Sequence, residues 1–280
     1  VGLRLPAVHS SPELAGLEEA TVIVQVRGSS CSGKSSVVTR LLRDYPPVDK
    51  LYEGGWNKLR PKLTAQLLPG DLAVLGGYSA TTKTGGLDAF SSGTTQKVWE
   101  WLHWHCLRHK HVLFEGLMAS LVIGRSEELW RTLQEERAPG LPVVFAFLDT
   151  PVNVVLPRLL VRNNGQGPTR QGVNLEDTGR RSWARVQLIR RTFLERGLPV
   201  VDLHWQTAYE ELVALLYRGG WDPTQPSGPL AGPSPWWYSP AAHQSARGSR
   251  TPNRKPELSP SPARTDVFDR LSQGLDVIGQ

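Results

Sequence analysis

A chain of 280 residues with 39% hydrophobic and 21% charged residues can bury the core of one large domain or two small ones, and its composition excludes collagen-like, coiled-coil and disulfide-scaffold architectures. The longest apolar stretch, residues 116–124, falls far short of the roughly 18 residues needed to cross a bilayer. Net charge is +6, a mild basic excess that favours polyanionic partners.

Residues 1–20 read as a loosely ordered lead-in without a secretory h-region, so the expected compartment is the cytoplasm. A run of β-branched residues from Val22 to Val26 predicts a strand buried on both faces. It is followed by Gly28-Ser29-Ser30-Cys31-Ser32-Gly33-Lys34-Ser35 and a helix from Lys34 to Arg43 with Val37, Val38, Leu41 and Leu42 inward. Leu72–Leu75 is the second predicted strand, then a Gly- and Thr-rich loop, a helix from about Thr94 to Arg108 and a third strand at His111–Phe114. The fourth strand, Val143–Leu148, leads into a helix with Thr150 as N-cap and Pro151 at its first position. The fifth is Pro199–Leu203, and a helix over Ala208–Tyr217 closes the domain. Strands separated by helical crossovers imply a five-stranded parallel sheet with helices on both faces, an α/β fold whose ligand lies at the carboxyl ends of the strands. Residues 21–222 are assigned to this domain. Residues 223–280 read as a disordered tail, because 223–264 hold ten of the 22 prolines and one acid, Glu257.

The sequence GxxxxGKS between an apolar strand and an amphipathic helix has the flanks that a phosphate loop (P-loop) requires. Gly28, Ser29, Ser30, Cys31, Ser32, Gly33, Lys34, Ser35 and Ser36 are the expected nucleotide-binding residues. Glycines let the backbone wrap phosphates, Lys34 reaches the β and γ oxygens, and Ser35 can ligate Mg²⁺. Glu115, closing His-Val-Leu-Phe-Glu at the third strand's end, can hold the metal or orient an attacking hydroxyl. Nine arginines between Arg158 and Arg196 face only Glu176, Asp177 and Glu195. Arg158 and Arg162, four apart on the helix after the fourth strand, are expected to clamp the transferring phosphoryl group, with a lid near residues 158–175. Pro157 makes the register of that helix irregular.

The acceptor is expected beside Tyr78, Thr84, Gly85, Gly86 and Asp88 in the loop after the second strand. Asp88 can take the acceptor's proton, Tyr78 can stack on a base or sugar, and the glycines permit close backbone approach. Glu115 competes with Asp88 as the base. His103, His105 and His109 beside Cys106 do not read as a zinc site, having no second ligand pair.

The order of these motifs resembles the phage-type 5-hydroxymethyluracil DNA kinases, P-loop enzymes of the nucleotide-kinase superfamily. The matching pieces are Gly28–Ser35, the Gly-Gly-Tyr-Ser to Thr-Gly-Gly-Leu-Asp segment ending at Asp88, Phe114-Glu115-Gly116, and Phe147-Leu148-Asp149-Thr150-Pro151 with Arg158 and Arg162 behind it. The resemblance implies ATP- and Mg²⁺-dependent phosphorylation of the hydroxymethyl group of 5-hydroxymethyluracil within DNA, a step in thymidine hypermodification. For a DNA partner, Arg180, Arg181, Arg185, Arg190 and Arg191 are backbone-contact candidates, and Trp56, Trp99, Trp101, Trp104 and Trp130 are candidates to hold a flipped base. Two other readings stay open: a kinase for a free nucleoside, nucleotide, sugar or antibiotic hydroxyl, and a nucleotide-binding regulatory or DNA-binding module that transfers nothing.

Overall fold

The computed structural model describes residues 21–53, 62–78, 85–90, 95–136, 143–162 and 174–228. The assignments made above for residues 1–20, for Trp56, for Thr84, for residues 163–173 of the expected lid and for the tail beyond 228 lie outside them.

β1 (Ile23–Arg27) is the strand between two parallel neighbours, β5 (His111–Glu115) and β6 (Val143–Asp149). β4 (Leu72–Leu75) extends the parallel set beyond β5, and β7 (Val200–His204) extends it beyond β6. These are the five predicted strands. Among the described residues the sheet is nevertheless seven-stranded and mixed, with β2 (Asp49–Glu53) and β3 (Lys62–Leu68) at one end of the order β2-β3-β4-β5-β1-β6-β7. These two strands add an antiparallel pair to β4, which corrects the expectation of a five-stranded parallel sheet. The physical reason is position: β2 is an edge strand with Asp49, Lys50 and an exposed Tyr52, so it carries the polar residues that keep an edge from pairing further and reads as a loop. β3 is buried along Thr64–Leu68, but its Thr64 and Gln66 interrupt the apolar run.

Helices cover both faces. On one face α2 (Thr95–Cys106), α4 (Gly124–Glu136) and α6 (Leu175–Glu195) pack Trp101, Leu133 and Phe193 against Ile23, Phe114, Phe145 and Phe147. On the other, α1 (Lys34–Asp44) and α7 (Ala208–Arg218) pack Val38, Leu41, Leu212 and Leu216 against Val22, Val24 and Val26. Continuous burial of β1 on both faces is what its β-branched composition demands. Gly70 N–H donates to Gln225 O (3.1 Å) and Ser227 Oγ to Leu68 O (2.9 Å), so residues 225 and 227, beyond the boundary expected at 222, rest on the turn between β3 and β4. Among the described residues no helix is long and apolar enough to cross a membrane.

Candidate functional site

β1 delivers the chain into the P-loop, and α1 begins at Lys34 with Gly33 as its N-cap at φ 108°. Only glycine holds that conformation without strain. At the loop's apex Cys31 has φ 60°, a non-glycine residue in the left-handed region and thus a locally strained turn. Gly28 is required by space, since a Cβ there would stand 2.5 Å from Ser32 Oγ. Lys34 is buried and donates to Gly28 O (2.9 Å) and Ser29 O (2.8 Å). Burial lowers its pKa, opposed by the nearby charge of Glu115. Among the described residues the buried hydroxyls of Ser29 and Ser32 have no partner, two polar atoms pointing to a ligand in this loop. Ser30 and Cys31 are half-buried, and Ser36 is exposed on the first turn of α1.

Beside the loop, at the end of β5, stands Glu115, fully buried. The register Val26↔Glu115 places it opposite the residue two positions before the start of the P-loop at Gly28, a consequence of parallel pairing. Glu115 Oε1 accepts from Ser35 Oγ (2.9 Å) and from Tyr78 Oη (3.2 Å), while buried Oε2 has no partner among the described residues. Burial raises its pKa above the ordinary carboxyl range, with Lys34, Ser35 and Tyr78 pulling it back. An unsatisfied buried carboxylate oxygen next to a serine hydroxyl is the donor set a hard divalent cation takes, so Ser35 and Glu115 fit Mg²⁺.

The segment expected to meet the acceptor packs on this carboxylate. Tyr78 is half-buried and its hydroxyl donates to Glu115; desolvation of that hydroxyl raises its pKa. A Cβ on Gly86, at φ +64°, would lie 2.3 Å from Glu115 Oε1, and one on Gly85 would lie 3.2 Å from Ser35 Cβ. The close approach these glycines allow is therefore to the carboxylate and the P-loop serine. Asp88 lies in the 3₁₀ turn Gly86–Ala89, where its Oδ2 accepts from the N–H of Leu117 (2.8 Å), the first residue of α3 (Leu117–Ser120). Asp88 and Glu115 are thus on one side of the loop.

On the other side, α5 (Val152–Arg162) carries Arg158 and Arg162, both exposed. Arg158 Nη1 reaches Ser32 O at 3.5 Å, and its guanidinium lies 5.5 Å from the ring centre of Trp205. Arg162 acts on the site electrostatically, its charge contributing to the lowered Lys34 pKa. Thr150 Oγ1 donates to Ser32 O (2.9 Å), while its own carbonyl accepts from Trp183 Nε1 (2.9 Å). Its side chain therefore braces the P-loop where an N-cap to α5 was expected.

Several DNA-contact candidates have other duties. Trp99 and Trp101 are core residues, and Trp104 and Trp130 are half-buried. Arg190 is ion-paired with Asp202 and Arg180 with Glu176. Arg185 Nη2 lies 3.5 Å from Leu121 O, and Arg181 Nε donates to Asp177 O (3.4 Å). Arg191 is exposed. His105 and His109 are buried and stacked at 5.5 Å, and burial holds the His105 pKa well below its ordinary value. Sequence reasoning passed over Arg27, buried at the end of β1, and Trp205. The signal for Arg27 was period-two: Gln25 and Arg27 interrupt an apolar strand on one face.

No family model matches the chain. Two curated relatives do. A 5-hmdU DNA kinase of Pseudomonas phage M6 is 30% identical over 200 residues, covering 70% of this chain and 98% of the relative. A 5-hmdU DNA kinase of Pseudomonas phage PaMx11 is 26% identical over 196 residues, covering 69% and 96%. Among solved structures, deoxyadenosine kinase from M. mycoides with bound dATP covers 70% of this chain and 99% of its own at 10% identity and a TM-score of 0.31; the fold assignment rests on the strand order and P-loop described above. With nearly the whole length of the M6 relative matched, the chain belongs to the family of 5-hmdU DNA kinases.

Proposed function

We propose that this protein transfers the γ-phosphoryl group of ATP to the 5-hydroxymethyl group of 5-hydroxymethyluracil in DNA, in the cytoplasm of an infected host. The observation that carries the reading is the Ser35–Glu115–Tyr78 set beside the P-loop, whose buried carboxylate has one oxygen without a partner among the described residues. Ser35 and Glu115 would hold Mg²⁺, whose charge, when bound, offsets that of the phosphate oxygens.

Charge in phosphoryl transfer spreads over the equatorial oxygens, so catalysis is positioning and electrostatics. Lys34 exchanges its two loop carbonyls for phosphate oxygens, a gain for an ammonium held in a desolvated pocket. Asp88 takes the proton of the acceptor hydroxyl as that oxygen bonds to phosphorus, while the bond to the β–γ bridging oxygen breaks and its electron pair leaves with ADP. Transfer must occur on the side where Glu115 and Asp88 stand. The nucleoside of ATP then lies on the opposite side, over β6 and β7, where Arg158 and Trp205 offer a cation and an aromatic face. Exposed Arg191 supports contact with a phosphate backbone, an attraction that weakens with salt.

The test is incubation with γ-labelled ATP and matched DNAs containing thymine or 5-hydroxymethyluracil, with free nucleosides alongside. Label is expected on the hydroxymethylated DNA alone; label confined to free nucleosides refutes the DNA assignment, and no label on any acceptor refutes the kinase.

A further inference from the structure

Arg27, the last residue of β1, is fully buried, and among the described residues no carboxylate forms an ion pair with it. Its counter-charge is main chain. Nη2 donates to Ser120 O (2.7 Å) and Val122 O (3.4 Å), and Nη1 donates to Gln25 Oε1 (3.0 Å) and Ser126 Oγ (2.8 Å). Gln25, on the same face of β1, adds Nε2 to Ala119 O (3.3 Å). The carbonyls of residues 119 and 120 belong to the last turn of α3, where helix carbonyls lack an intrahelical donor, and Val122 O, in the turn into α4, also accepts from Ser126 Oγ (3.0 Å). Phe193, Phe147 and Phe145 surround the guanidinium, their ring centres 4.6, 5.4 and 5.8 Å from its carbon.

Burial lowers the pKa of Arg27 to about 9, so it stays charged at neutral pH. A buried cation without a carboxylate is weak evidence for stability, because an apolar side chain of similar volume often packs as well. The placement of the charge has a more specific consequence. α3 is a single turn, so its ends move together: the C-terminal carbonyls rest on Arg27, and the first N–H, that of Leu117, donates to Asp88 Oδ2. Gly116 lies against Asp88 as well, since a Cβ there would stand 3.2 Å from Asp88 Oδ1.

We propose that Arg27 is a positioning residue: gripping the carbonyl end of α3, it fixes the Leu117 amide that orients the Asp88 carboxylate toward the acceptor hydroxyl. The inference rests on the proposed phosphotransfer and on the part Asp88 takes in it.

The test is a double-mutant cycle of Arg27→Met and Asp88→Asn, combined with amide hydrogen exchange. Arg27→Met is expected to lower kcat about tenfold with the KM for ATP unchanged. In the Asp88→Asn background it should lower kcat no further, since coupled residues are non-additive. Exchange at Leu117–Ser120 should accelerate while β1 and α1 stay protected. Additive losses of kcat, a rise in the KM for ATP that accounts for the whole defect, or unchanged exchange in α3 overturns the proposal. If Arg27→Met fails to fold, Gln25→Leu, which removes the bonds to Ala119 and Arg27, should show the same pattern more weakly, and its absence there overturns the proposal equally. A wild-type protein that labels no acceptor refutes the kinase reading and with it the catalytic half of this inference, whereas exchange at Leu117 still decides whether Arg27 holds α3.

Discussion

On the β5 side of the P-loop, half-buried Ser35 and Tyr78 hydrogen-bond to the fully buried Glu115, Gly85 and Gly86 close over it, and Asp88 is tied to the start of α3. On the β6 side, Arg158 and Arg162 are exposed, and the one bond from Arg158 to the loop is 3.5 Å long. Groups already oriented in a water-excluded site need no reorganisation during reaction and act through a low dielectric; exposed cations act through water and are screened by salt. The first flank should therefore carry most of the rate, and the second chiefly the affinity for nucleotide.

Mutations that remove the buried groups test this difference most severely. Lys34→Ala, which deletes the charge between the two flanks, should reduce phosphoryl transfer on the order of a thousandfold with the circular-dichroism spectrum unchanged; substantial activity in the folded variant would contradict the site. Glu115→Gln should cost about a hundredfold and yet raise the melting temperature of the metal-free protein. The sign follows from linkage. The folded-state pKa of Glu115 lies above its unfolded value, so the native state binds the proton more tightly, and stability falls as pH rises through that interval and stays lower above it. Glutamine removes the buried charge and with it the loss, so an unchanged melting temperature at neutral pH would show that Glu115 is not destabilising.

Gly86→Ala probes the packing of that flank without touching its charges. The new methyl group meets Glu115 Oε1 and the backbone is forced to hold φ +64°, so a stability loss of about 1–3 kcal/mol and a roughly tenfold fall in turnover are expected. Denaturant unfolding and steady-state kinetics check both, and a neutral effect would mean that the glycine is not closing over the carboxylate. The smallest change belongs to the opposite flank: Arg158→Ala should raise the KM for ATP a few-fold, by about 1 kcal/mol of binding, with a weaker effect at high salt. A collapse of kcat from this substitution would erase the distinction between the two sides.

Recognition from sequence was strongest where the signal is local. The β-branched run of β1, the spacing of Gly28, Gly33, Lys34 and Ser35, and the apolar stripe of α1 together identify a strand, loop and helix within residues 22–44, and each parallel strand from β4 to β7 announces itself as a short apolar run. The edge strand β2 did not, because protection against further pairing demands polar residues. Tyr78, Gly85 and Gly86 were placed in the right neighbourhood, but their contact is with Glu115 and Ser35. Nothing in a Gly-Gly pair says which surface it approaches.

Residue order by itself determined that a phosphate loop sits between a buried strand and an amphipathic helix, and that five strands connect through helical crossovers, because backbone propensity, glycine conformation and apolar periodicity act over a few neighbouring residues. Tertiary structure alone decided which carboxylate meets Ser35, 80 residues away, which amide holds Asp88, 29 residues away, and which carbonyls take the buried charge of Arg27, 93 residues away. Those pairings come from strand register and helix placement, and they are fixed only when the sheet has closed around its core.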